Sequence, residues 1–149
     1  MDRKAEKLAL GSDHAGFKLK EDIIKYLISK EISFYDFGTY SDESTDYPIF
    51  AHAVAKAVNN GSFARGVLIC GSGNGVNMTA NKYPEVRAAL CWNAEIARFA
   101  RLHNDANILS LPGRFIESGE AIKALDAFLE TDFEGGRHAA RVKKISPNL

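Results

Sequence analysis

An α/β fold of three layers is what the sequence predicts: a five-stranded, parallel, Rossmann-like sheet between two layers of helices, followed by a C-terminal helix. Three observations carry this expectation. Short apolar runs alternate with stretches whose apolar residues recur at helical spacing. Several of the runs are apolar throughout, as strands covered on both faces are. Glycine-rich or polar turns follow the runs directly, where a βαβ unit places its strand-to-helix loops.

In chain order, KLALGSD ends at Gly11-Ser12-Asp13 and gives the first strand. Leu19, Ile23 and Leu27, four apart, put one apolar face on the first helix. ISFYDFG (32–38) is the second strand. Beyond a polar loop, Phe50, Val54, Ala57 and Val58 form the stripe of the second helix. GVLICG is the third strand, and a glycine loop and short helix follow it before Tyr83-Pro84. VRAALC (86–91) and NAEIARFARLHN are the fourth pair, ANILSLPG (106–113) and SGEAIKALDAFLET the fifth. RHAARVKKI, after Gly135-Gly136, reads as a last, long helix that could swing onto another subunit. No linker or low-complexity tract interrupts the chain, so residues 1–149 are expected to form one domain.

Composition excludes several function classes. With 19 basic and 19 acidic side chains the formal net charge is zero, so no global field draws the chain to nucleic acid or to an anionic membrane. No apolar run is long enough to span a bilayer, and MDRKAEKLALGSDH holds no signal-peptide core. The expected compartment is the cytoplasm. The two cysteines, Cys70 and Cys91, end apolar runs without CxxC or a zinc-type His/Cys spacing, and are expected to be reduced and free of metal. Cys91 reads as structural.

In parallel α/β sheets ligands sit at the carboxyl ends of strands, near a topological switch, so the residues after each run are the candidates. Ser12-Asp13-His14 follow the first. Serine or aspartate there caps a helix, but His14 is not needed for a cap and suits the place only with an anion nearby. Cys70-Gly71-Ser72-Gly73-Asn74-Gly75 follow the third. Alternate glycines let backbone N–H groups converge on a phosphate or an oxyanion, or they simply make a tight turn. GK[ST] is missing, the third glycine falls one residue early for GxGxxG, and Cys91 stands where that motif wants an acidic residue; all three count against a nucleotide loop. Cys70 is either a small buried hydrophobe or a reactive thiol open to a ligand in the loop.

His103 shares a helix face with Ile96, Phe99 and Ala100, the setting of a packing histidine. Yet His103-Asn104-Asp105 ends that helix and could face a cleft or a partner. Arg114, past Pro112-Gly113, is a surface arginine or an edge cation. Arg137 and Arg141 are four apart with Lys144 one turn on. They repel one another in an isolated helix, and their planar forks suit a phosphate; a solvated charged face is the alternative.

The segments SDHAGFKLKE, GTYSDESTDYP, CGSGNG, NKYPEVRAALC, RLHNDANIL, LPGR and FEGGRHAARV, in that order from Lys7 to Ile145, resemble the type B ribose-5-phosphate isomerases. That family also includes isomerases of galactose 6-phosphate and allose 6-phosphate. The resemblance implies an aldose–ketose isomerase of the pentose phosphate pathway, interconverting ribose 5-phosphate and ribulose 5-phosphate without metal or cofactor. Carried over, Cys70 is the base that moves a proton between C2 and C1, and His103 opens the furanose ring. Asp13 and Ser72 hold hydroxyls, Ser72 standing where many members have threonine. The Gly71, Ser72, Gly73, Asn74 and Gly75 amides stabilise the enediolate. His14, Arg137 and Arg141 hold the phosphate, Asn104 and Arg114 orient the sugar, and Tyr47 lines the pocket. Some members carry a glutamate base just after the glycine loop; here that position is Val76, which leaves Cys70 in the role. Family members are dimers, some of them tetramers, with pockets built from both subunits. A six-carbon sugar phosphate as substrate, or a phosphosugar-binding module without catalysis, are the alternatives.

Overall fold

Three strands that are apolar on both sides decide the architecture. The computed structural model describes residues 6–147. Residues 1–5 and 148–149, on which the one-domain expectation and the reading of the first residues partly rest, lie outside the described residues. The strands are β1 (Leu8–Ser12), β2 (Phe34–Asp36), β3 (Arg65–Cys70), β4 (Ala88–Leu90) and β5 (Ile108–Pro112). The helices are α1 (Phe17–Ser29), α2 (Tyr47–Asn59), α3 (Asn74–Ala80), α4 (Ala94–Asn104), α5 (Ser118–Glu130) and α6 (Arg137–Val142). All pairings are parallel, in the order β2-β1-β3-β5-β4.

Successive side chains of a strand point to opposite faces, so each central strand feeds two cores. Leu8 and Leu10, Val67 and Ile69, and Leu109 and Leu111 join one cluster with Leu19, Ile23 and Leu27 of α1, Ala97 of α4 and Leu125 and Phe128 of α5. Ala9, Leu68, Cys70 and Ile108 join the other, with Val54 and Val58 of α2 and Val76 of α3. The layers follow from connection handedness. A right-handed crossover changes face whenever the path along the sheet reverses. The chain steps outward from β1 to β2, back across β1 to β3, outward past β5 to β4, and back to β5. Hence α1 and α4 lie on one face and α2 and α3 on the other.

The edge strands β2 and β4 are three residues long, shorter than the apolar runs that announced them, and are half-exposed. A sheet edge with one partner holds fewer residues in register, and short edges resist pairing with other molecules. A second difference is α6. It has six residues rather than the long helix expected, and its first residue follows Gly135 and Gly136 at φ of 71° and 55°. Among the described residues no helix is long and apolar enough to cross a membrane.

One lysine is buried in this frame. Lys20 lies on the stripe that continues through Ile23 and Leu27, and its residue exposure is 1%. Its Nζ pairs with the Asp36 carboxylate and donates to Thr39 O at 2.7 Å, pinning the chain that leaves β2. That chain carries Thr45 and Tyr47 to the site described below. Removing one partner of a buried pair strands the other, so Lys20→Ala is expected to lower unfolding stability by about 3 kcal/mol or more. Urea denaturation measures this; a loss below about 1 kcal/mol, the range of an exposed pair, would contradict the clamp.

Candidate active site

The connections leave β1 and β3, which are neighbours, in opposite directions. Their carboxyl ends therefore flank a crevice of the kind that holds ligands in open parallel sheets. Ser12 is the register partner of Ile69, and Asp13 N–H donates to Ile69 O at 3.2 Å, so Asp13 stands beside the residue before Cys70. The Asp13 carboxylate accepts from Gly16 N–H at 3.1 Å. It is thus the cap the sequence allowed, here of a single 3-10 turn at His14–Gly16. Nδ1 of His14 accepts from Thr45 N–H at 3.2 Å. In the neutral ring this places the hydrogen on Nε2, so His14 can offer an N–H to an anion without carrying a charge.

The glycine loop is built by close contacts. Gly73 sits at φ 77°, and a Cβ there would lie 2.4 Å from Leu90 Cδ1. A Cβ on Gly75 would lie 2.6 Å from the Tyr47 ring, so glycine lets Tyr47 lie against the loop. A Cβ on Gly71 would come 3.5 Å from Arg114 Nη1, and Arg114 N–H donates to Gly71 O at 2.9 Å. Ser72 is exposed, with its Oγ accepting from Asn74 N–H at 3.3 Å and from Asn74 Nδ2 at 3.2 Å. Asp13, His14, Tyr47, Arg114 and residues 70–75 are therefore brought to one edge of the sheet.

Cys70 departs from the open thiol of the sequence reading. It is 4% exposed and packs with Val54, Leu68 and Val76. The reason is strand alternation: as the last residue of β3 it points to the same face as Leu68, which α2 and α3 cover. Cys91 is fully buried, and burial pushes its thiol up to about 12, so it stays neutral.

His103, Asn104, Arg137 and Arg141 are elsewhere. Helices of a parallel sheet run against the strands, so α4 ends where β5 begins. Cys70 pairs with Pro112 at the far end of β5, while His103 and Asn104 precede its first residue, Ile108. Five residues of strand put on the order of 15 Å between the two groups. At this opposite edge His103, Asn104, His138, Arg141, Val142 and Ile145 line a cavity of about 290 Å³. Arg137 and Arg141 are both exposed on α6. The core face of α4 also differs from expectation. Its buried residues are Ala97, Ala100 and Arg101, while Phe99 and His103 are half-buried at its side. Arg101 is held by Asp105 Oδ1 at 2.9 Å, Ala106 O at 2.6 Å and Thr131 O at 3.1 Å.

Sequence reasoning missed Thr45, Glu134 and His138. Thr45 acts through its backbone, which no residue type announces. His138, between Arg137 and Arg141, reads as part of a solvated run, yet it is buried and stacks on His103 with ring centroids 4.3 Å apart and planes 11° apart. Glu134 Oε2 lies 3.8 Å from His103 Nε2. Three potential ligand atoms of these residues fall within 4.8 Å of one another. Near-parallel rings, however, direct their nitrogen lone pairs along parallel planes and not at one ion, so the trio is not arranged as a metal cage.

Burial, with His103 and Arg137 adding repulsion, holds the pKa of His138 below the ordinary histidine value, and Glu134 offsets part of this. The unfolded chain therefore takes the proton first as pH falls below about 6.5. Stability is expected to decline through that value and to level off once folded His138 is protonated. Urea midpoints between about pH 7.5 and 5 should fall more for the wild type than for His138→Gln; equal slopes would contradict the shift.

The sequence pattern of the Ribose/Galactose Isomerase family matches residues 8–145. Ribose-5-phosphate isomerase B of Escherichia coli is 42% identical over 141 residues, 95% of each chain. Among solved structures, a ribose 5-phosphate isomerase from Thermotoga maritima superposes with a TM-score of 0.94 at 47% identity, covering 97% of this chain and 99% of that one. Ribose-5-phosphate isomerase B from Mycoplasma genitalium, solved with bound ribulose 5-phosphate, gives 0.90 at 44% identity, covering 95% and 94%. By sequence match along nearly its whole length, this chain is a member of the ribose/galactose isomerase family.

Proposed function

We propose that the protein interconverts ribose 5-phosphate and ribulose 5-phosphate through an enediolate, in the cytoplasm, as an assembly of at least two copies. The observation that carries the reading is the junction of Cys70 with the glycine loop at the β1/β3 crevice, in a chain whose relatives bear that name. Ring opening comes first. His103 takes the proton from the C1 hydroxyl and returns one to the ring oxygen as the C1–O4 bond breaks, leaving an aldehyde at C1. The Cys70 thiolate then removes hydrogen from C2, and the electron pair moves to O1. N–H groups of residues 71–75 meet the new negative charge, the step at which preorganised donors help most. Cys70 then returns its proton to C1, and the O2 proton passes to O1, which gives the C2 ketone and the C1 hydroxyl of the ketose.

A base that takes hydrogen from carbon acts in contact with that carbon and gains from the exclusion of water, so the small exposure of Cys70 suits the role. Asp13 and Ser72 hold hydroxyls, Tyr47 lines the pocket, and Asn104 and Arg114 orient the sugar. His14, Arg137 and Arg141 hold the phosphate, whose binding energy keeps C1 and C2 against the sulfur. Because one chain sets His103, Asn104, Arg137 and Arg141 at the edge away from Cys70, a second copy is the natural source of those four residues. Exposed Tyr40, Tyr47, Ile49, Met78 and Phe115, in or after segments at the carboxyl edge, supply apolar surface for such a contact.

Comparison of kcat/KM for ribose 5-phosphate, allose 6-phosphate and galactose 6-phosphate tests the substrate. The pentose is expected to lead by at least about tenfold, since a mismatch of one carbon in a fitted pocket is worth 1–3 kcal/mol. A lead for either hexose would reassign the activity.

A further inference from the structure

We infer that His138 is a positioning residue for His103: its buried imidazole is the platform that sets the ring plane of the ring-opening histidine. This rests on the isomerase reading and adds to it a residue to which that reading gave no task. Among the described residues the His103 ring makes no hydrogen bond; its polar neighbour, Glu134, is at 3.8 Å. The ring is about one-third exposed, and a ring so placed would rotate freely without a surface to lie on. Two rings supply that surface. Phe99, from its own helix, lies at 5.0 Å and is tilted by 46°, whereas His138 lies parallel at 4.3 Å. The stack therefore selects the plane.

The platform itself is fixed. Residue exposure of His138 is 6%, its backbone N–H donates to Gly135 O at 3.0 Å, and the Glu134 backbone N–H donates to Leu102 O at 3.1 Å, tying the start of α6 to α4. Among the described residues Nε2 of His138 is buried and has no hydrogen-bond partner, which packing alone does not explain. The charges acting on His138 are Glu134 from the preceding loop and Arg137 and Arg141 from α6. Next to these arginines, burial and their charge make His138 resist protonation.

A positioning role and a scaffold role differ in which step they touch. Ribose 5-phosphate is a furanose and must be opened; ribulose 5-phosphate, with its C5 oxygen phosphorylated, has no furanose form and reaches the enediolate directly. The experiment measures two rates in each variant: turnover of ribose 5-phosphate, and deuterium uptake at C1 of ribulose 5-phosphate in heavy water. His138→Gln removes the ring, and His138→Phe keeps a ring of similar outline. His138→Gln is expected to lose about tenfold or more in kcat for ribose 5-phosphate, since a misaimed group costs rate steeply. Its C1 exchange should remain within about twofold of the wild type. His138→Phe should keep most of the turnover. Parallel loss of both rates in His138→Gln, or no loss, overturns the inference, as does a His138→Phe variant as impaired as His138→Gln. If the wild type itself exchanges no deuterium from ribulose 5-phosphate, the isomerase reading fails, and this inference falls with it.

Discussion

Cys70→Ala is expected to lose C2 proton abstraction from ribose 5-phosphate in heavy water, and turnover with it, by about 10²–10⁴-fold, the usual worth of a positioned base. Among the described residues, its neighbours in the crevice are poor substitutes. Val76 cannot take a proton, the Asp13 carboxylate is engaged by Gly16 N–H, and His14 Nδ1 is engaged by Thr45 N–H. Because Cys70 is small and sits in the apolar layer under α2 and α3, deleting its sulfur should cost only about 1 kcal/mol of stability. The variant should therefore stay folded, and the loss can be read as chemistry. Cys70→Ser, closer in volume, tests the same point: a hydroxyl without an activating base is too weak to replace a thiolate. NMR of the C2 position follows exchange directly, independent of the overall equilibrium. Normal exchange in either variant would remove the thiol from the mechanism.

Mixing two inactive variants should restore activity. Cys70→Ala lacks the base, and His103→Asn lacks the ring-opening group. In one chain these positions stand at opposite edges of the sheet, Cys70 beside Pro112 and His103 before Ile108. If each pocket takes Cys70 from one copy and His103 from another, a mixed dimer has one intact pocket and one that lacks both groups. Random reassociation of equal amounts makes half the dimers mixed, each with one working site of two, so activity should return to about a quarter of the wild type. The measurement is turnover after unfolding and refolding the mixture together, with each variant refolded alone as the baseline. If the mixture stays at that baseline, the two groups do not meet across subunits, and the division of the site described here cannot support the reaction.

Much of this could be read before any coordinates. The central strands were legible because β1, β3 and β5 are apolar on both faces, a pattern that few other arrangements produce. Edge strands were overextended because ISFYDFG and VRAALC remain apolar past the point where a neighbour pairs with them, and pairing is a property of two segments, not one. The glycine loop was legible as a loop; that Gly75 admits the Tyr47 ring was not, since the two are far apart in the chain. The burial of Lys20, beside Leu19 of the apolar stripe, was not legible, because its partner Asp36 lies on another element.

What the sequence determined alone was local and periodic: the strand-helix alternation, the placing of Cys70 and the glycines at one strand end, the neutrality of the whole, and the order of motifs that marks the family. The tertiary structure decided the rest. It buried Cys70, made a ring stack of His103 and His138, turned the RHAARVKKI run into a short helix, and put the two halves of the predicted site at opposite ends of the strands. The reason is geometric. Side-chain periodicity follows from backbone bonds that each residue carries with it, whereas the edge of the sheet a residue reaches depends on the antiparallel run of helix against strand, which exists only after the layers have packed.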